Sequence, residues 1–114
     1  MKGHLIFVAF VAALLFGGSR LFAQEPDVKR GAEVYRYWCS SCHGPQTGTP
    51  GTTALAAKYK GEKPAVLDQR TDLTLQMVRF YVRNGVSIMP FFRKTEVGDT
   101  DLAALAAYLT SKRP

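Results

Sequence analysis

The chain has 114 residues, with fifteen Lys plus Arg against nine Asp plus Glu for a formal charge of +6, and only two cysteines. That cysteine count excludes a disulfide framework. The charge excess comes with neither a basic stripe interleaved with aromatics nor a known module, which argues against nucleic-acid binding.

The first 23 residues read as a secretion signal. Lys2 lies in the n-region, an apolar run extends from Leu5 to Phe16, and small Ala23 precedes Gln24, so cleavage is expected near Ala23 and the product is periplasmic. The apolar run is about a dozen residues, short for a span that needs about 20, so no membrane span is expected in the mature form. An uncleaved anchor is the alternative. The mature chain, residues 24–114, is one small domain whose formal charge falls to +4 once Lys2 and Arg20 are gone. So short a chain is near the lower limit for a self-sufficient apolar core.

Asp27 can cap a helix from Val28 to about Trp38, with Ala32, Tyr35 and Trp38 in one stripe. That helix leads into Cys39-Ser40-Ser41-Cys42-His43, the pattern for covalent attachment of a c-type haem. Two thiols this far apart can add to the two haem vinyl groups, and the adjacent His43 supplies an imidazole to the iron. Both cysteines are used here and the only other histidine is His4, so the mature chain has three ligands where structural zinc wants four. A haem-free thiol oxidoreductase is the other rival, but the motif lacks the βαβ setting that such chemistry uses. One motif implies one haem c per chain, and a buried porphyrin would supply the missing core.

Residues 44–53 are rich in Gly, Pro and Thr and read as an irregular loop, followed by a short helix from Ala54 to Tyr59 that Lys60-Gly61 ends. Thr74 can cap a further helix with Leu75, Val78 and Val82 on one face and Asn84-Gly85 as an αL stop. Residues 86–94 cannot be helical through Pro90. The last helix has Asp99 as its cap, Asp101 in its first turn, an apolar face of Leu102, Leu105, Ala106 and Leu109, and Lys112 and Arg113 at its far end. Strand signals are almost absent. The expectation is an all-α domain of three to four helices around one covalently bound haem.

Function then turns on the second axial ligand. Met77 falls in mid-helix, where core packing is the ordinary reading. Met89 lies in the loop after a helix stop and is stiffened by Pro90, which makes it the candidate sixth ligand. A thioether favours ferrous iron, and two protein ligands leave no open position, so the pair suits electron transfer and not catalysis. Trp38, Ile88, Phe91 and Phe92 are candidates for the apolar shell, and Arg93, Lys94, Lys58 and Lys60 for a basic rim that would steer an acidic partner.

The order of these features over nearly the whole mature chain resembles a class I c-type cytochrome. The resemblance implies that Gly31 and Tyr35 of the first helix pack against the last helix and its Tyr108. It also implies that the Pro50 carbonyl accepts a hydrogen bond from the far ring nitrogen of His43, although only seven residues separate the two. A narrower run, Val82-Arg83-Asn84-Gly85, Met89-Pro90 with Phe92, and residues 101–109, is similar to the cytochrome subunits of p-cresol methylhydroxylase and eugenol hydroxylase type flavocytochromes. That similarity implies a flavoprotein dehydrogenase acting on para-alkylphenols as donor and a soluble carrier as downstream acceptor. A free carrier without a dedicated dehydrogenase remains open, as does a haem sensor or enzyme with an open sixth site.

Overall fold

The computed structural model describes residues 26–111. The expected signal segment with its cleavage site, and Lys112 and Arg113, lie outside the described residues. Among the described residues, five α-helices and one 3₁₀ turn account for the regular structure: α1 (Val28–Trp38), α2 (Ser40–His43), α3 (Pro50–Tyr59), the turn Leu67–Gln69, α4 (Leu75–Asn84) and α5 (Asp99–Thr110). The all-α expectation holds, with one helix more than anticipated because the haem-attachment motif forms a turn of its own.

Helix α1 begins where Asp27 Oδ1 accepts from the amides of Lys29 at 2.9 Å and Arg30 at 3.2 Å. It buries Gly31, Val34 and Tyr35, a face of i, i+3 and i+4 spacing, against α5. The crossing is close because position 31 has no side chain. A Cβ there would stand 2.7 Å from Tyr108 Cβ and nearer still to the Ala104 carbonyl oxygen. Beside it the Tyr35 and Tyr108 rings pack with centroids 5.7 Å apart, as the resemblance implied. From α5, Leu102, Leu105, Ala106 and Leu109 are all buried and join Val34, Tyr35, Val78, Val82, Leu73 and Val97 in one core. Fully burying such a side chain contributes about 2 kcal/mol. Arg30 adds a bidentate ion pair to Asp101 at 2.8 and 2.9 Å across the two helices.

Two boundaries differ from the sequence reading. Helix α3 starts at Pro50, not Ala54, with proline in the first turn where its missing N–H costs nothing. Gly98, not Asp99, stands at the N-cap of α5. Asp99 is the first helical residue, and its carboxylate is turned to Arg83 and Lys94. In helix α4 Thr74 Oγ1 accepts from the Met77 amide at 3.1 Å, Val78 and Val82 are buried, and the helix stops at Gly85, with φ 67 and ψ 178 in place of the expected αL conformation. Leu75, expected on the buried face, is exposed because it sits in the first turn, before the helix meets the core. Among the described residues no helix is long and apolar enough to cross a membrane.

Candidate functional site

The first half of the site is the turn that follows α1. Cys39 ends α1 by donating its amide to the Tyr35 carbonyl at 2.9 Å, and its own carbonyl then accepts from His43 at 2.9 Å and Cys42 at 3.1 Å. Both thiols are free, with Cys39 half-buried and Cys42 exposed. Residues three apart on a helical turn share a face, so the two sulfurs can reach one flat group together. Burial pushes the Cys39 thiol up to about 12 and lowers the pKa of the His43 imidazole. His43 is therefore held toward its neutral form, which is the form that ligates a metal.

A four-residue helix leaves its last carbonyls without amide partners, and side-chain hydroxyls supply them here. The Tyr35 hydroxyl donates to the His43 carbonyl at 3.0 Å. Thr52 and Thr49 donate to the Gly44 carbonyl at 2.8 and 3.1 Å. Gly51 in the first turn of α3 then packs closely against the imidazole. A Cβ at that position would stand 2.7 Å from His43 Cε1, 2.8 Å from Nδ1 and 2.7 Å from the Cys42 carbonyl oxygen.

The hydrogen bond expected from His43 Nδ1 to the Pro50 carbonyl is not formed. Nδ1 is buried with no hydrogen-bond partner. Pro50 is the first residue of α3, and a carbonyl there points along the helix toward the amide four residues on instead of across to the imidazole.

The second half of the site is the loop after α4. Gly85 takes φ 67 and ψ 178, a region that only glycine enters freely, and its amide donates to the Tyr81 carbonyl at 2.7 Å. Val86 and Met89 then close a tight turn with reciprocal backbone bonds of 3.1 and 2.9 Å. Met89 is half-buried, while its neighbours Ile88 and Phe91 are 72% and 60% exposed. The chain returns to α4 at Phe92, whose amide donates to the Val82 carbonyl at 2.7 Å. Met77 packs against the core, as its mid-helix position suggested.

The two halves meet at a ring contact. Trp38, next to Cys39, lies edge-on to Phe92, three residues after Met89, with centroids 5.8 Å apart. Of the expected apolar shell, these two pack on the core and Ile88 and Phe91 face outward. The expected basic rim is reduced by local pairing: Arg93 meets Glu96 at 3.4 Å, and Lys94 meets Asp99 at 2.7 Å. Lys58 instead stands 5.5 Å from the Tyr59 ring, and Arg70 lies 4.6 Å from the same ring while gripping Asp72 through two bonds.

Haem c asks for two thiols on one turn, a neutral imidazole, and an axial donor on a facing segment. The chain supplies all of these types. The fit lies in the donor set, since Cys39 and Cys42 are free and stand on the same turn as His43. The sequence matches the family described as cytochrome c oxidase, cbb3-type, subunit III over residues 26–109. It is also similar to cytochrome c-552 of Bradyrhizobium diazoefficiens, 29% identical over 116 residues that cover the whole of both chains. No solved structure matches the chain significantly.

Proposed function

Because the chain belongs to the c-type cytochrome family that includes subunit III of the cbb3-type oxidases, we propose that it carries single electrons on one haem. In this reading Cys39 and Cys42 hold the porphyrin through thioethers, and His43 and Met89 are its axial ligands. Membership in that family makes the protein an electron-transfer protein with covalently bound haem c, built on a small class I cytochrome c fold. The observation that carries the residue assignment is the meeting of the Cys39–His43 turn and the Met89 loop through Trp38 and Phe92.

Haem c supplies a one-electron ferric/ferrous couple. The chain's own contribution is to hold the two ligands in fixed places. The Tyr35 hydroxyl and the backbone of Gly51 restrain the His43 peptide and ring, so the imidazole need not reorganise when the charge changes. Met89, fixed by its turn, would present a soft sulfur that favours the reduced state. With both positions taken by side chains, the site moves charge and binds no substrate.

Further parts of the reading rest on the sequence. Residues 1–23 direct export and residues 24–114 form the working domain, which places the protein in the periplasm. Its electron donor is a flavoprotein dehydrogenase acting on para-alkylphenols. The electron then passes to a soluble carrier or the respiratory chain, a destination in keeping with the oxidase subunit for which the family is named.

Met89→Ala tests the closed site. The sulfur-to-ferric-iron charge-transfer absorption should vanish and the reduction potential should fall; an unaltered spectrum would place the sixth ligand elsewhere. Acidified organic solvent should leave the haem on the polypeptide, whereas free extraction would rule out the thioethers. Co-purification with a flavoprotein would identify the donor, and a free carrier would purify alone.

A further inference from the structure

The geometry points to Arg83 as the positioning residue for Met89, a latch that sets how readily the loop swings away from the iron and thus whether the sixth position stays closed. This rests on Met89 being the axial ligand.

Residues 85–92 leave and return to a single turn of α4. The departing amide of Gly85 is held by Tyr81, and the returning amide of Phe92 by Val82. Arg83 is the next residue along that turn. Its Nη1 donates to the Phe92 carbonyl at 3.0 Å and to the Val97 carbonyl at 2.9 Å, and its Nη2 donates to Asp99 Oδ1 at 2.9 Å. Lys94 Nζ takes the other carboxylate oxygen at 2.7 Å. No backbone amide among the described residues donates to either carbonyl.

A basic residue in the last turn of a helix ordinarily does no more than complement the dipole. Here one guanidinium joins three points that lie nine, fourteen and sixteen residues further on. Its planar fork is suited to holding several acceptors at once, which a lysine could not reproduce. Without it the return end of the loop keeps the Phe92 amide bond and the packing of the Phe92 ring, and its carbonyl loses its side-chain donor. A loop that opens more often offers the iron to an outside ligand more often, and the apparent affinity for that ligand rises in proportion to the open fraction.

The test is imidazole titration of the ferric holoprotein, following the charge-transfer absorption. For Arg83→Gln, imidazole should bind about tenfold tighter, which corresponds to losing one charge-assisted hydrogen bond. Asp99→Asn should move in the same direction by less. Arg30→Gln, which breaks a comparable ion pair to Asp101 in the same first turn of α5 but donates to neither the Phe92 nor the Val97 carbonyl, should leave the affinity unchanged. Wild-type affinity in Arg83→Gln overturns the latch, as does an equal rise in Arg30→Gln. If Arg83→Gln does not fold, unchanged affinity in Asp99→Asn overturns it instead. Loss of the absorption in Met89→Ala but not in Arg83→Gln, together with unchanged imidazole binding, would leave Met89 as ligand and remove only the latch. Persistence of the absorption in Met89→Ala would remove the ligand reading itself.

Discussion

The segment that carries His43 and the segment that carries Met89 are fixed by different kinds of bond. Around His43 the restraints are neutral and wholly or partly buried: three hydroxyls cap the open carbonyls of a short turn, and the Gly51 backbone lies close to the ring. Around Met89 they are charged and more open, since Arg83 is half-buried and Asp99 is 65% exposed. The difference follows from what each segment must resist. In the proposed reading, a turn joined to the haem by two covalent bonds could not leave it, so its scaffold would only have to set an angle. A methionine held by one coordinate bond could leave, and its loop would need a clamp reaching across several chain segments.

Substitutions at two glycines separate the halves, and the larger effect belongs to the Met89 loop. In Gly85→Ala a side chain would have to adopt a positive φ with its Cβ 2.5 Å from the Met89 carbonyl oxygen and 2.9 Å from the Phe91 amide nitrogen. A loss of about 3 kcal/mol is expected from strain and crowding together. The haem should stay covalently attached while the charge-transfer absorption disappears. Gly51→Ala should cost about 2 kcal/mol in thermal unfolding, because the added methyl meets the His43 ring and the Cys42 carbonyl and this outweighs the helical preference for alanine. Its spectral effect should fall on the His43 side, leaving the sulfur band in place. If either substitution abolished both signals equally, the two halves would be one cooperative unit.

Tyr35→Phe is a finer probe of the neutral half. Burial holds the Tyr35 phenol above its ordinary range, so it stays protonated and donates to the His43 carbonyl. Removing the hydroxyl leaves that carbonyl without its donor at a cost of about 1 kcal/mol. The ring contact with Tyr108 survives, so the change should appear in the hyperfine-shifted His43 resonances more than in the unfolding temperature. Unmoved resonances would mean that the hydroxyl serves packing alone.

Chemistry was more legible in the sequence than its supports. Residues 39–43 announce themselves because the spacing is dictated by the porphyrin, and α1 and α4 were readable because Asp27 and Thr74 cap them locally. Gly51 and Arg83 carried no such signal. Their roles depend on which distant backbone lies opposite them, and nothing within a few residues of either encodes that. Asp99 shows the same limit from the other side. An aspartate before an apolar helix reads as a cap, but two cations placed there by the fold compete for its carboxylate, and glycine takes the cap position. The Pro50 bond failed for a related reason, since proline in this setting starts a helix and its carbonyl is directed along the axis.

Salt gives the smallest and most selective separation. Lys94, and behind it Arg83, hold the Asp99 carboxylate below the usual aspartate range, and that carboxylate is largely solvent-exposed. Screening shortens the reach of such charges from about 10 Å at 0.1 M to about 3 Å at 1 M, while neutral hydroxyl bonds are indifferent to it. Imidazole should therefore bind the wild-type ferric protein somewhat more tightly at high salt, by less than in Asp99→Asn, because the guanidinium keeps its two carbonyl acceptors. In Arg83→Gln the salt dependence should vanish. The His43 resonances should not shift with salt in either protein. A salt response that persists in Arg83→Gln would trace the effect to charges outside the latch and would narrow the contrast between the two halves to their covalent chemistry.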